Sequence, residues 1–483
     1  MTDETRVNRD DPAPLLRRAA ELATAFLRSL PERPVRVDED IAGLRAALCG
    51  PLPEQGEDPI TVIEALARDA EPGIVATAGP RYFGFVIGGG IPAAVAADWL
   101  TSAWDQNAAL YVAGPAASVV EEAVGAWLID LFGLPQASSY GLVTGGQMAN
   151  FTCLAAARHA VLARDGWNVE SDGLFGAPQI EVVISAEAHA TLHAALQYLG
   201  LGRDRVHVVA TDPQGRMRSD TFSAELAGIP RGAPLIVCLQ AGNADSGAFD
   251  PLAEIIEHTR RRPGAWVHVD GAFGLWARAS PQTAPLLEGV ERADSWATDA
   301  HKWLNVPYDS GIAFVAQPAA HAAALSLPRA AYLHYATTAQ RDEVDWVPEL
   351  SRRARGFAIY AALRTLGRAG VRAMVERACF VARRIAAGLA AAPDVEILND
   401  VVLNQVLVRF KVPGGEAAAA DAFTRGVIRG VQEEGTIWLA GTTWHDMAAM
   451  RISVSNWGTG REEADLAVDA ILRAAGRARA ALS

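Results

Sequence analysis

In the middle of the chain, short apolar runs alternate with segments whose apolar residues recur at helical spacing. Helical spacing occurs at 147–163, 188–199 and 250–261. Five short apolar runs predict strands, at 181–185, 205–210, 235–240, 266–270 and 311–315. This alternation predicts an α/β domain with a mostly parallel sheet. The ligand of such a sheet binds in the crevice at the carboxyl ends of its strands.

The two ends of the chain show other patterns. The first 75 residues read as helical and irregular, with an amphipathic segment at 14–30, and predict an arm that packs on a partner subunit or caps its own domain. After residue 350 a long helical pattern precedes strands at 395–398, 405–410 and 449–455 and helices at 416–434 and 461–482. We therefore predict a helical arm, a large α/β domain and a smaller C-terminal α+β domain, at 1–75, 76–350 and 351–483.

Composition narrows the class of protein. Half of the 483 residues are hydrophobic and 20% are charged, which is typical of a soluble globular protein. The net charge of −13 argues against a nucleic-acid partner, which would require a basic surface. The most apolar stretch, at 91–104, is too short for a membrane span and contains Asp98. The first residues are polar and acidic, unlike a signal peptide, so we expect a cytoplasmic protein.

The four cysteines are widely spaced and match no zinc-binding pattern. Cys153 and Cys238 lie in apolar runs, where cysteine is usually a small buried hydrophobic residue. We expect neither a disulfide framework nor a metal site.

Lysine is rare in this chain. Of 43 basic residues only Lys302 and Lys411 are lysines, and arginine cannot lose its proton under ordinary conditions. Chemistry that needs a neutral amine therefore has two candidates. Lys302 lies between His301 and Trp303, where it can be desolvated and can form a Schiff base. The alternative is a surface lysine whose stem covers the tryptophan. Lys411 follows a predicted strand and precedes a turn, where a solvated charge is ordinary.

An aspartate ends one of the predicted strands. Asp270, in the sequence HVDGAFG, would lie at the carboxyl edge of the sheet and 32 residues before Lys302. A carboxylate in this place can keep a pyridine nitrogen protonated, which makes the ring an electron sink. The alternative is a turn-forming Asp-Gly pair.

Two segments could complete a site around these residues. The sequence TGGQMAN at 144–150 opens a helix whose N-terminus could bind a phosphate, although many helices begin in this way. His189 follows the strand at 181–185, and its ring could stack on an aromatic cofactor. On its own, His189 would more often be an ordinary polar residue at a helix start.

Together these motifs resemble those of the fold-type-I pyridoxal-phosphate enzymes, and more narrowly the group II amino-acid decarboxylases. The resemblance is carried by HVDGAFG, DAHKW, TGGQMAN and EAHAT, with supporting stretches such as PRYFGF at 80–85 and MRISVSNWGT at 450–459. It runs from about residue 75 to the end of the chain. It implies a homodimer, a large domain with a seven-stranded, mostly parallel sheet, and pyridoxal 5'-phosphate as the cofactor.

The resemblance also implies residue roles. Lys302 would bind the cofactor covalently, Asp270 would pair with the pyridine nitrogen, and His189 would stack over the ring. Ala272 would lie against the opposite face of the ring. The phosphate would be held by Gly146, Gln147 and His301. Arg451 matches an arginine that binds the substrate carboxylate in some members. The equal alternative is that Arg451 forms an ion pair on a strand of the small domain.

The segment 326–347 corresponds to a loop that carries the proton donor in this group. Tyr332 fits the position of that tyrosine best, and Tyr335 is the alternate. Members with phenylalanine there tend toward oxidative aldehyde formation, so a tyrosine favours simple decarboxylation to an amine and carbon dioxide, through an external aldimine and a quinonoid.

The substrate is suggested by aromatic residues where the family builds its pocket. Phe83, Phe85 and Trp104, with Tyr82, favour an aromatic or otherwise hydrophobic L-amino acid, although such rings are more often simply core. The chain departs from the family at Asn243 and Ala244, where two threonines are common, so a small hydroxyl near the cofactor is lost or replaced by an amide. A Cα–Cβ lyase or aldolase, a decarboxylation-dependent aldehyde synthase and a non-catalytic scaffold are the alternatives.

Overall fold

A seven-stranded sheet is the central layer of the computed structural model, which describes residues 11–37, 40–328 and 340–480. Its strands are β1 (Ser139–Val143), β2 (Glu181–Ser185), β3 (His207–Val209), β4 (Leu235–Gln240), β5 (Trp266–Asp270), β6 (Ser295–Asp299) and β7 (Gly311–Val315). Their order is β1-β7-β6-β5-β4-β2-β3. Only β7 runs antiparallel to its neighbours, and the pairs from β6 to β3 are parallel. The predicted fold class is confirmed.

Helices cover both faces of this sheet. They are α4 (Pro92–Trp104), α5 (Pro115–Phe132), α6 (Gly146–Ala163), α7 (Val169–Asp172), α8 (Ala190–Tyr198), α9 (Ser219–Gly228), α10 (Leu252–Arg260) and α11 (Pro318–Leu325). Alternate strand residues enter two separate apolar clusters: Val183, Val237 and Val267 enter one, and Val182, Ile184 and Ile236 the other. Burial on both faces explains why the strands read as continuous apolar runs.

The sequence pattern did not predict β1 and β6, although every residue of both strands is buried. Several of their polar side chains form tertiary hydrogen bonds. Ser139 Oγ donates to the carbonyl of Val315, and Thr298 Oγ1 donates to the carbonyl of Gly271. Because polar residues interrupt these strands and their partners lie far away in the sequence, neither strand shows an apolar run that would predict it.

A second, four-stranded antiparallel sheet follows the long helix α12 (Gly356–Ala390). It consists of β8 (Val395–Ile397), β9 (Gln405–Phe410), β10 (Ala440–Trp444) and β11 (Met447–Ser453), in the order β10-β11-β9-β8. Helix α13 (Ala417–Glu434) packs on this sheet, and α14 (Arg461–Ala480) packs on α12 and α13. The pattern missed β10, whose sequence AGTTW carries little apolar signal. Phe83 joins this unit, since its N–H donates to Trp438 and its carbonyl accepts from Ser453.

The N-terminal arm consists of α1 (Ala13–Ser29), α2 (Ile41–Leu48) and α3 (Pro59–Ala70). None of the residues in these three helices is buried. The boundaries 1–75, 76–350 and 351–483 stay a prediction. Within the described ranges, no helix has both the length and the apolar character to cross a bilayer.

Candidate active site

Lys302 lies just after β6, near the carboxyl edge of the large sheet. Its Nζ is 3.1 Å from Oδ2 of Asp299, the last residue of β6. The glycine-rich segment at 80–92 packs on its main chain, because a Cβ placed on Gly88 would lie 1.8 Å from the Lys302 carbonyl oxygen. Lys411 is different: it is 57% exposed and its Nζ lies 3.4 Å from Glu396. The two lysines therefore occupy unlike environments.

Asp270 ends β5 and is buried beside the same edge. Its Oδ2 accepts a 3.0 Å hydrogen bond from Asn150 Nδ2, and its Oδ1 accepts one of 3.2 Å from the N–H of Ala272. Asn150 Oδ1 is 2.9 Å from His268 Nε2, and His268 Nδ1 is 3.0 Å from Ser295 Oγ. The carboxylate is thus held from two sides, by a helix side chain and by its own turn.

The protons in this chain of hydrogen bonds have one consistent arrangement. Burial lowers the pKa of His268 to about 4, so the ring is neutral at pH 7. Asn150 donates to Asp270, so its oxygen must accept from His268 Nε2–H. Trp266 Nε1 donates to Ser295 Oγ, which leaves the Ser295 hydroxyl free to donate to His268 Nδ1. Trp266 thus donates to Ser295, Ser295 to His268, His268 to Asn150 and Asn150 to Asp270. This series of hydrogen bonds orients the Asp270 carboxylate.

His189 immediately precedes α8, at the carboxyl end of β2. Its Nδ1 is 2.7 Å from Thr191 Oγ1 and accepts a longer bond from the Thr191 N–H, so its neutral form carries the proton on Nε2. Burial lowers its pKa, while Asp270 acts to raise it and Lys302 to lower it. The structure therefore brings His189, Asp270 and Lys302 into one neighbourhood.

The first turn of α6 faces the segment that carries Lys302. A Cβ on Gly145 would lie 3.4 Å from His301 Cε1, and one on Gly146 would lie 2.8 Å from Asp299 Oδ2. The helix has no side-chain N-cap, and Gln147 is half-buried in its first turn. His301 Nδ1 donates to the carbonyl of Ser310, and burial is the main cause of its lowered pKa. A neutral imidazole and a positive helix end thus meet here.

Arg451 connects the small domain to this neighbourhood. It lies on β11, and its Nη1 contacts the carbonyl of Ala244 at 3.3 Å and Asp245 Oδ1 at 3.4 Å. It also acts electrostatically on His189. Asn243 holds the turn beside it, since its Oδ1 accepts from the N–H groups of Asp245 and Ser246. In this chain the amide of Asn243 therefore shapes the loop that Arg451 contacts.

The aromatic residues expected in a substrate pocket have different surroundings. Phe83 is buried in the main apolar core, and Trp104 packs edge-on against Phe357. Tyr82 and Phe85 both stack on Trp438, at centroid distances of 4.9 and 5.4 Å. Of these rings Phe85 is the most exposed, at 57%, and it lies three residues before Gly88. Tyr332 and Tyr335 lie outside the described residues.

Sequence reasoning missed three residues of this site, although all lie inside motifs that it had singled out. Asn150 and His268 orient Asp270, and Asp299 contacts the Lys302 amine. Asn150 was read as part of a helix start, His268 as part of a strand and Asp299 as part of the lysine motif, and only the spatial arrangement shows what each contacts. Ala272, which was singled out, forms the turn at Asp270, with its carbonyl accepting from the N–H of Asp299.

The sequence of the chain is similar to those of known proteins. A family model described as the pyridoxal-dependent decarboxylase conserved domain matches residues 44–412. An aromatic-L-amino-acid decarboxylase of Bacillus atrophaeus is 27% identical over 473 residues, covering 96% of this chain and 95% of that protein. An acidic amino acid decarboxylase of Homo sapiens is 29% identical over 335 residues, covering 68% and 63%.

Solved structures show the same fold. The Oryza sativa TDC, crystallised with PLP and tryptamine, superposes with a TM-score of 0.89 at 23% identity, covering 98% of this chain and 99% of that one. At this identity the likeness concerns the fold.

Proposed function

The chain belongs to the pyridoxal-dependent decarboxylase family, and on that premise we propose that it converts an aromatic or otherwise hydrophobic L-amino acid into the amine and carbon dioxide. It is a PLP-dependent amino-acid decarboxylase. One observation carries the residue assignments: Lys302, Asp270 and His189 come together at the carboxyl ends of β2, β5 and β6.

The residues present fit pyridoxal phosphate. Lys302 offers a primary amine and Asp270 a buried, hydrogen-bonded carboxylate. Helix α6 has no side-chain N-cap, so the main-chain N–H groups of its first turn would be open to a phosphate beside His301. When bound, the cofactor supplies a conjugated ring that accepts the electron pair released from the Cα–carboxylate bond.

We assign the protein's contributions as follows. Lys302 would hold the cofactor covalently through Nζ, and Asp270 would keep the pyridine nitrogen protonated. His189 and Ala272 would contact the ring. The phosphate would be held by the first turn of α6, which includes Gly146 and Gln147, and by His301. The proton donor is assigned to Tyr332, with Tyr335 as the alternate, and both assignments stay predictions.

The surroundings of His189 favour a substrate side chain without negative charge. Asp245 acts electrostatically on His189, and Glu187 is two residues away along the chain. These carboxylates would repel an acidic side chain, while the exposed ring of Phe85 offers an apolar contact. Arg451, which contacts Asp245 and acts electrostatically on His189, is the candidate for the substrate carboxylate. The similarity to an aromatic-L-amino-acid decarboxylase of Bacillus atrophaeus supports the same class.

A panel of L-amino acids tests the substrate class. Purified protein with added pyridoxal phosphate is assayed for carbon dioxide, and the products are identified by mass spectrometry. We expect amine and carbon dioxide from tyrosine, tryptophan or phenylalanine, with glutamate and cysteine sulfinate at least about ten-fold slower. An aldehyde with ammonia and peroxide would contradict decarboxylation to the amine, and a preference for acidic substrates would contradict the assigned pocket.

We also propose that the protein is a homodimer in the cytoplasm. The arm helices α1–α3 contain no buried residue, and their apolar residues Leu16, Ile41 and Leu66 are exposed. Trp99 and Leu100 are exposed on α4. Apolar surface of this extent on a folded chain is typical of a face that another subunit covers.

Sedimentation tests the dimer. The chain has a mass of 51.1 kDa, and we expect the protein to sediment at twice that mass. Leu16→Glu with Leu66→Glu should shift it toward the monomer. Phe175→Ser is the matched control, because Phe175 is an exposed aromatic residue outside the arm and α4. A wild-type monomer would contradict the proposal.

A further inference from the structure

Asp299 is a buried acid with few partners. It is 2% exposed, and its main-chain N–H is fixed by the carbonyl of Ala272 at 2.8 Å. One carboxylate oxygen, Oδ2, lies 3.1 Å from Lys302 Nζ. The other, Oδ1, is buried without a hydrogen-bond partner among the described residues. An ionised carboxylate in such a place is costly unless a cation is paired with it.

His301 does not supply that cation. Its Nε2 lies 3.7 Å from Asp299 Oδ1, but its Nδ1 donates to the carbonyl of Ser310. Burial lowers the pKa of His301, so the neutral ring presents an unprotonated Nε2 to the carboxylate. His301 Nε2 and Asp299 Oδ1 are then both acceptors, which explains why Oδ1 has no hydrogen bond. Among the described residues, Lys302 is the cation that contacts this carboxylate.

The first turn of α6 makes room for the carboxylate. A Cβ at Gly146 would lie 2.8 Å from Asp299 Oδ2, and one at Gly145 would lie 3.8 Å from Oδ1. Glycine at both positions lets the acid approach a helix N-terminus that has no side-chain cap. The positive end of the helix stabilises the negative charge, and the carboxylate in turn lies between that helix end and the lysine amine.

We propose that Asp299 is a positioning residue for Lys302: its carboxylate holds the ε-ammonium whenever the amine is not covalently engaged, and keeps Nζ at the edge of the sheet. This inference rests on the proposed function, in which Lys302 is the reactive amine. It adds a residue to the site, because Asp299 acts through the lysine that it contacts.

The presence of only two lysines gives a direct test. Full-length protein from which the cofactor has been removed is treated with trace acetic anhydride, which acylates neutral amines, and acylation of Lys302 relative to Lys411 is measured by mass spectrometry. Without the carboxylate the amine loses the 3.1 Å contact that holds Nζ at the sheet edge and is released to react. We expect Asp299→Asn to raise the Lys302 to Lys411 labelling ratio by about ten-fold.

Two controls separate charge from structure. Asp309→Asn removes an acid that pairs with Arg355 near the same segment and should leave the ratio unchanged. In Asp299→Ala, added formate should restore slow labelling of Lys302, since formate returns the charge without changing the chain. Labelling of Asp299→Ala with and without formate compares a single variant with itself, so it still tests the proposal if Asp299→Asn does not fold. Equal ratios in wild type and Asp299→Asn, or a formate-insensitive Asp299→Ala, would overturn the proposal.

The outcome is independent of the proposed function. Labelling needs neither cofactor nor substrate, so a protein that fails to decarboxylate can still show the Asp299 effect. Conversely, covalent cofactor on Lys302 combined with an unchanged labelling ratio would leave the function intact and remove only the role of Asp299.

Discussion

At the scale of single residues, the site depends on groups that the sequence alone does not reveal. Lys302 and Asp270 could be singled out because lysine is rare and because an aspartate ends an apolar strand. Asn150 and His268 could not, because their importance arises from hydrogen bonds between residues more than 100 positions apart. No local pattern encodes such a contact.

Asn150 gives the prediction at this scale. Asn150→Ala removes the donor to Asp270 Oδ2 and leaves His268 Nε2 without its acceptor. Hydrogen bonds to charged groups contribute about 1.5–3 kcal/mol, so we expect kcat/KM to fall by about 10- to 100-fold. Steady-state kinetics of carbon dioxide release measures the change.

Thr152→Val is the control for this variant. Thr152 lies two residues further along α6, and its buried hydroxyl has no hydrogen-bond partner among the described residues. Its removal should leave kcat/KM within a factor of two or so and the fold at least as stable. If the two variants behave alike, Asn150 has no special part in orienting Asp270.

At the scale of elements, apolar patterning predicted four large-domain strands at the bounds that the structure shows, and α6 within one residue of its start. It overextended β3 and missed β1, β6 and β10. The missed strands contain serine, threonine or glycine, and tertiary hydrogen bonds rather than intrinsic preference hold β1 and β6 in the sheet. The close packing of the glycine-rich segment on Lys302 was also beyond a one-dimensional pattern.

That packing can be tested at Gly88. Gly88→Ala would place a methyl group 1.8 Å from the Lys302 carbonyl oxygen, and the backbone must shift to accept it. We expect the free energy of unfolding to fall by about 1–3 kcal/mol and kcat/KM to fall with it, because Lys302 moves. Urea unfolding and kinetics report the two effects.

Gly426→Ala is the matched substitution. Gly426 lies in α13, where an added Cβ meets no atom within 4 Å. This change should stabilise the protein by about 0.5–1 kcal/mol and leave kcat/KM unaltered. A Gly88→Ala enzyme with wild-type stability and kinetics would show that the segment does not press on Lys302.

At the scale of the whole molecule, stability should depend on pH through buried neutral histidines. Burial lowers the pKa of His321 to about 3, against about 6.5 in an unfolded chain. Between these values the unfolded chain binds a proton that the folded chain does not, so stability falls as pH falls. His321 lies against Ser139 of β1, away from Lys302 and Asp270.

The folded and unfolded pKa values of His321 fix the size of this loss of stability. Between pH 7 and pH 5, one such histidine should cost about 2 kcal/mol of unfolding free energy. We expect His321→Gln to be less stable than wild type at pH 7 and to lose about 2 kcal/mol less on acidification. Urea unfolding at the two pH values measures both quantities. A variant that keeps the full wild-type loss would contradict a neutral buried His321.

We propose that Lys302 is the amine that holds pyridoxal phosphate. The most direct measurement is borohydride reduction of the holoenzyme, which fixes the cofactor to the amine that bound it, followed by peptide mass spectrometry. We predict the cofactor mass on the peptide that contains Lys302 and none on the peptide that contains Lys411. Cofactor on Lys411, or on neither lysine, would contradict the account.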